Sequence, residues 1–242
     1  MSINISDVSY QFRGKLALDS VSLNLMPGFN VILGPNGAGK STLLSLLTAQ
    51  RPLQNGMLTY DSLDITTHQR DVMAKIGVVF QQTTLDLDLS VKQNLTYFGA
   101  LHGLSAKRVI ENITPILTSL ALLDRLDDKI RSLNEGHRRR VEIARCMIHN
   151  PDFLLLDEAT VGLDVDSRKL IIEHIRALAQ SRSLTVLWTT HLMDEVKNED
   201  ALFILNQGQL ITNGKCEQLL HHYHQENVFD LYRFLTQPEG LI

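Results

Sequence analysis

The run Gly34-Pro35-Asn36-Gly37-Ala38-Gly39-Lys40-Ser41-Thr42 constrains this chain more tightly than any other stretch. It has the spacing G-x-x-x-x-G-K-[ST] of a phosphate-cradling loop. Val31-Ile32-Leu33 precede it and read as a buried strand, and Leu43, Leu44, Leu46 and Leu47 follow at spacings that suit a helix with one apolar face. The order strand, glycine loop, helix has a chemical reason. Glycines let the backbone curl so that several N–H groups converge on phosphate oxygens. The helix N-terminus adds partial positive charge. In this arrangement Lys40 reaches the β- and γ-phosphates of a nucleoside triphosphate, and the Ser41 hydroxyl is a magnesium ligand.

A length of 242 residues suits one large domain, or one domain with an inserted lobe. The net charge of −4 provides no basic field to recruit nucleic acid or anionic lipid, so no nucleic-acid partner is expected. No apolar stretch is long enough to span a bilayer. Residues 1–10 lack the basic-then-apolar pattern of a secretion signal. With Cys146 and Cys216 as the only cysteines, the expectation is a reduced, cytosolic chain.

Ile3, Ile5 and Val8, like Val21, Leu23 and Leu25, alternate with polar residues and read as half-buried strands. Further strands are expected at 56–60, 76–80, 153–156, 184–188, 201–205 and 209–212, the last two forming a hairpin that turns at Gln207-Gly208. From Ser90 to about Met147 the texture is helical, with helix starts at Ser90, Ser105 and near Asn134. Another helix is expected from about Asp166 to Ala179. Strands and helices alternating around a phosphate loop imply an α/β parallel sheet. His221, His222 and His224 lie in a segment, Leu219 to Glu226, that reads as an exposed helix or loop rather than a metal site.

A phosphate loop needs a carboxylate near its metal. Asp157 and Glu158 end the aliphatic run Phe153-Leu154-Leu155-Leu156, at the strand edge that faces the ligand crevice of such a sheet. Asp157 is placed to hold magnesium, and Glu158 to polarise the attacking water as general base. His191, after the strand ending Leu187-Trp188-Thr189-Thr190, reaches the same edge and can bond the γ-phosphate.

With these residues in view the chain resembles the ATP-binding subunit of an ABC transporter over about Ile3 to Ile211. The motifs follow the family's order. After the phosphate loop, Gln81 follows Ile76-Gly77-Val78-Val79-Phe80, and Leu133-Asn134-Glu135-Gly136-His137 occupies the signature position. Asp157-Glu158 stand as the Walker B acids, Val161-Gly162-Leu163-Asp164 as the D-loop, and His191 as the switch histidine. The resemblance implies a P-loop NTPase with a RecA-like core (about 1–81 and 150–215), an antiparallel β subdomain, an inserted helical lobe (about 82–149) and a C-terminal extension (216–242). It implies ATP and Mg²⁺, with Ser41, Gln81 and Asp157 as metal ligands and Lys40, Gln81, Glu158 and His191 as catalytic groups. It also implies a second ATPase subunit, a homodimer with two ATP molecules between protomers, so that Asn134 and Gly136 touch the partner's ATP, with Asp164 as the D-loop acid. An integral membrane permease is implied as a further partner, which would hold the chain on the cytoplasmic face of the inner membrane. For the ring that stacks on adenine, spacing to Ala17-Leu18 favours Phe12, with Tyr10 as the alternative.

The chain departs from the usual L-S-G-G-Q signature. Asn134 replaces serine, Glu135 the first glycine and His137 the glutamine, while Gly136 is kept. Asn134 still has an amide donor. Glu135 suits a helix N-terminus but repels a triphosphate nearby unless it points away, so slow hydrolysis is expected. Ala159 stands where proline is common. Arg138-Arg139-Arg140 read either as a solvated face answering Glu135 and Glu142 or as groups at the dimer interface or near phosphate. A finer resemblance, in Phe80-Gln81-Gln82 with Leu85 to Leu95 and in Gly136 to Arg145, is to ATPase subunits associated with pyrroloquinoline-quinone-dependent alcohol catabolism, and it favours export.

Overall fold

The computed structural model describes residues 2–236; Met1 and the last six residues of the expected C-terminal extension lie outside the described residues. The elements run in the order β1 (Ile3–Phe12), β2 (Lys15–Leu25), β3 (Gly28–Leu33), α1 (Lys40–Leu47), β4 (Asn55–Tyr60), β5 (Leu63–Asp64), α2 (Gln69–Met73), β6 (Ile76–Val79), α3 (Val91–Leu101), α4 (Ala106–Ser119), α5 (Glu135–Cys146), β7 (Phe153–Asp157), α6 (Val165–Arg182), β8 (Thr185–Thr190), β9 (Ala201–Asn206), β10 (Gln209–Lys215), α7 (Cys216–His222) and α8 (Val228–Thr236). They form two compact units, Met1–Met73 with Thr185–Ile242, and Ala74–Leu184.

The first unit holds two sheets. One is antiparallel, in the order β2-β1-β4-β5. Its inward row pairs Ile3 with Leu25, Ile5 with Leu23 and Val8 with Val21. Ile5 and Val8 are an odd number of residues apart yet both are buried, because the register shifts between them, where Asp7 takes a left-handed φ of 53°. The extra residue turns the strand back to its buried face. In the other sheet β9, β3 and β8 run parallel, with β10 antiparallel at the edge of β9. Strand β8 is buried throughout, as a central parallel strand must be. The β9–β10 hairpin turns at Gln207 and Gly208, with φ of 48° and 81°. Two successive positive φ values match the right-handed strand twist in a two-residue loop.

The second unit pairs β6 with β7 in parallel, Ile76 opposite Phe153 and Val79 opposite Leu156. Its helices start where short polar side chains relieve unpaired N–H groups. Ser90 forms a reciprocal capping box with Gln93, Ser105 caps α4, Asn134 caps α5 and Asp164 caps α6. Val91, Leu95, Val109, Ile113, Ile116, Val141 and Ile143 form its buried interior.

The segment from Leu219 to Glu226 is exposed at His221, His222, His224 and Glu226, but its first two residues, Leu219 and Leu220, are buried at the end of α7; a Cβ on Gly214 would stand 3.3 Å from the Leu219 side chain. The helix turns those leucines inward and leaves His221 and His222 outside.

Candidate active site

The phosphate loop is fixed at both ends. Gly34 N–H donates to the Thr190 carbonyl at 3.2 Å, and Gly208 N–H donates to the Ala38 carbonyl at 2.9 Å. Gly34 has no alternative, because a Cβ there would lie 2.3 Å from the Leu205 carbonyl oxygen. Gly37 and Gly39 take φ of 83° and 110°, left-handed conformations that glycine adopts freely. Gly39 is the residue before α1, and no side chain caps that helix. Lys40 is buried, and its ammonium turns back over the loop to the carbonyls of Gly34 at 2.7 Å and Pro35 at 3.2 Å. Ser41 is exposed at the start of α1.

His191 follows β8. Leu33 of β3 is in register with Thr190, so the loop leaving β3 and the turn leaving β8 emerge side by side. Gly34, Pro35, Asn36 and His191 consequently share a cavity of about 250 Å³, closed by Leu33, Met193 and Tyr232. The turn after His191 is anchored from below, where the buried Trp188 Nε1 donates to Glu195 Oε2 at 2.9 Å. Met193 and Tyr232 are wall residues that the sequence reading did not single out. Tyr232 sits on α8, whose buried Val228 and Leu231 carry the periodicity that marks a packed helix.

Of the two ring candidates, Tyr10 is buried in β1, whereas Phe12 at the strand end is 36% exposed. Phe12 meets Tyr10 edge-on at 4.8 Å, and the Arg51 guanidinium lies 4.6 Å from its ring centre. Its strand is paired with β2, whose Ala17 carbonyl backs Gly39.

In the second unit, Asp157 ends the fully buried β7 and Glu158 follows it with a left-handed φ of 46°. Both carboxylates are buried. The chain turns through Val161 N–H to the Glu158 carbonyl, 3.1 Å, and passes Gly162 to reach Asp164. Asp164 accepts from Ser167 N–H at 2.9 Å and Ser167 Oγ at 2.7 Å. These bonds, the backbone one first, hold its carboxyl below the usual range. Asn134 Oδ1 accepts from His137 N–H at 2.9 Å. A Cβ on the buried Gly136 would stand 2.9 Å from Ser167 Oγ, so this glycine also lets α5 approach the start of α6. The Glu135 carboxylate is turned toward Gly162, 3.4 Å from where a Cβ would be.

Gln81 is exposed on the loop that leaves β6, and its carbonyl accepts from Arg139 Nη2 at 2.9 Å. The solvated-face reading fails at Arg139, which is buried, while Arg138 and Arg140 are half-buried, and all three bond backbone carbonyls. Arg138 bonds the carbonyls of Ile130 and Arg131, Arg140 those of Gly136 and Leu120, and Arg139 those of Phe80 and Gln81. The Phe80 and Gln81 carbonyls lie on a loop outside the ladder, and the Arg139 guanidinium satisfies them.

Residues 18–161 match the ABC transporter family. The chain belongs to that family. It is 34% identical over 243 residues to the ABC transporter ATP-binding protein NatA of Bacillus subtilis (strain 168), with 97% of each chain covered. It is 36% identical over 236 residues to Nod factor export ATP-binding protein I of Bradyrhizobium diazoefficiens, covering 96% of this chain and 76% of that protein. A solved ATP binding subunit of an ABC transporter superposes with a TM-score of 0.86 at 20% identity, over 98% of this chain and 100% of the other, and so has the same fold. The fold is therefore that of an α/β P-loop NTPase, and the chain is an ATP-binding, ATP-hydrolysing ABC subunit.

Within an ABC ATPase the geometry assigns chemistry to two groups of residues. In the first unit the start of the glycine loop and His191 line one cavity, and Lys40 folds back onto the loop carbonyls. In the second, two buried carboxylates end a strand, and a capped helix presents the altered signature.

Proposed function

We propose that this chain is the motor subunit of an export-type ABC transporter, working as a pair with a second copy and attached to the cytoplasmic face of the membrane through a separate permease. The observation that carries the reading is that Gly34, Pro35 and Asn36 of the phosphate loop share one cavity with His191, while the Lys40 ammonium folds back onto the Gly34 and Pro35 carbonyls. Export rests on the relatives named for Nod factor export. Among the described residues no helix is long and apolar enough to cross a membrane, so the permease is a different chain in this reading.

In the pair, the triphosphate lies on Gly34–Thr42, with Phe12 against the adenine. Ser41, Gln81 and Asp157 hold Mg²⁺, which neutralises phosphate charge. Glu158 takes the proton of the attacking water, and His191 and Lys40 stabilise charge on the γ-phosphoryl oxygens. Asn134 Nδ2 and the Gly136 N–H contact the ATP bound on the partner, beside Asp164. ATP that bridges two copies stabilises the closed pair, and its cleavage releases them. The helical lobe, about 82–149, is the part that meets the permease, and 1–242 act as one nucleotide-binding domain.

The test is ATP binding by Lys40→Ala, measured by calorimetry. Binding and turnover are expected to be lost while the fold is retained; a variant that holds ATP as tightly as the unaltered chain sinks the reading. Co-purification of a membrane protein with the tagged chain tests the permease.

A further inference from the structure

Within the second unit, the loop from Phe80 to Thr84 has no strand or helix of its own, and its residues 81–84 are exposed. Its backbone is nevertheless held at several points, all by one helix. Arg139 Nη1 donates to the Phe80 carbonyl at 2.6 Å and Arg139 Nη2 to the Gln81 carbonyl at 2.9 Å. Arg139 also pairs with Glu142 Oε2 at 2.9 Å, and both side chains are almost fully buried. The other carboxylate oxygen, Glu142 Oε1, accepts from Thr83 Oγ1 at 3.0 Å and Thr84 N–H at 2.8 Å. One turn further on, Arg145 Nη1 donates to the Thr84 carbonyl at 2.9 Å and its other nitrogen contacts Thr84 Oγ1. The β6 strand that leads into the loop lies against the end of the same helix, where a Cβ on Gly77 would be 2.7 Å from the Cys146 carbonyl oxygen.

A buried charge pair of this kind is costly to separate, because each partner alone would be left desolvated. Its donors and acceptors also have fixed directions, since a guanidinium presents a planar fork. The loop and α5 are therefore held as one piece. The first turn of that helix carries Asn134, Glu135 and Gly136.

We propose that Arg139 and Glu142 are positioning residues that make Gln81 and the Asn134–Gly136 turn move together, so that nucleotide sensed at one position changes the geometry offered to the other. This rests on the reading above, in which Gln81 serves the chain's own ATP and Asn134–Gly136 the partner's. By linkage, the two nucleotides of a pair then influence one another's affinity reciprocally. Neither Arg139 nor Glu142 touches substrate. They act through the backbone of Phe80, Gln81 and Thr84.

The experiment uses the full chain with Arg139→Gln, Glu142→Gln and Arg139→Lys. Three quantities are read: ADP affinity by calorimetry, the ATP dependence of hydrolysis, and amide hydrogen exchange over 80–84. For Arg139→Gln, ADP affinity is expected to stay at the wild-type value, because the phosphate loop is intact. Exchange at 83 and 84 rises, kcat falls by about tenfold to a hundredfold, the scale of misplacing a reacting group by an ångström, and the Hill coefficient drops to unity. Arg139→Lys, which keeps the charge and one bond, recovers part of kcat. Glu142→Gln keeps the shape of the carboxylate and gives the same pattern more mildly, which guards against a variant that does not fold. Wild-type kcat and cooperativity despite faster exchange at 83 and 84 overturn the proposal. So does a parallel loss of ADP affinity and kcat, which marks general damage. If the unaltered chain fails to bind ATP, or Lys40→Ala still binds it, the functional reading itself has failed, and that outcome is separate from these.

Discussion

Helix α1 begins behind Gly39, with no side-chain cap and no acid in its first turn. Helix α5 begins behind Asn134, whose Oδ1 already accepts the His137 N–H, and it carries Glu135 in its first turn. The family places phosphate at both starts, yet the two are prepared in opposite ways. The N–H groups and partial charge of α1 are left for an incoming anion, with Lys40 beside them. At α5 the protein has already supplied an oxygen to an N–H and a carboxylate to the dipole, and the Glu135 side chain rests toward Gly162. A phosphate arriving there gains less. In the proposed pair, the difference teaches that what each helix start still offers a phosphate sets the intrinsic strength of that contact, and any coupling between the two nucleotides is superimposed on it.

The comparison breaks most sharply if α1 is made to look like α5. Ser41→Asp puts an acid in the first turn of α1, and ATP affinity is expected to fall by about a hundredfold, or about 3 kcal/mol. An affinity equal to wild type by calorimetry, with an unchanged circular dichroism spectrum, breaks the argument. The converse change, Glu135→Gly, makes α5 resemble α1. Removing one repulsive charge near the end of a helix dipole is worth about 1 kcal/mol, so kcat should rise about fivefold while ATP affinity of the separate chain is unaltered. A wild-type rate no faster than that of Glu158→Gln defeats the claim that hydrolysis survives Glu135. Asn134→Ala removes the cap, and the loss of about 1 kcal/mol should lower the melting temperature by a few degrees, whereas Asn134→Ser should not.

A last prediction concerns histidine. His191 stands in the cavity of one unit, while His149 in the other is half-buried and stacked on His102 at 4.1 Å. Burial, and then the neighbouring His102, push the His149 pKa from 6.5 down to about 4. Between those values the unfolded chain binds a proton that the folded chain refuses. The His149 contribution is thus fully present above pH 6.5 and is lost as pH falls toward 4. Melting curves of wild type and His149→Phe should therefore converge on acidification within that window. Curves that stay parallel count against a neutral His149 in the folded chain.

Reading the chain residue by residue made some features visible and not others, for reasons of range. The caps at Ser90, Ser105 and Asn134, and the hairpin at Gln207-Gly208, are local: the residue that makes each turn is the residue that sits in it. The burial of Arg139 within the arginine run was not legible, because it depends on distant carbonyls. Nothing within Arg138 to Arg140 says that Phe80 and Gln81 will lie beneath Arg139. Tyr232 was missed because its place beside Gly34 comes from the packing of α8. Phe12 and Tyr10 have similar rings, and only the course of β1 through its bulges decides that Tyr10 is buried and Phe12 stands at the edge.

Sequence alone determined the phosphate loop, the acids that end β7, the histidine after β8 and the order in which they come, because each is a short stretch whose chemistry depends on its own neighbours. Tertiary structure decided which side chains serve those stretches without belonging to them. Arg139 and Glu142 became a buried clamp, Gly136 a point of close approach and Tyr232 a cavity wall, because burial and hydrogen-bond satisfaction depend on residues brought together only when the chain has folded.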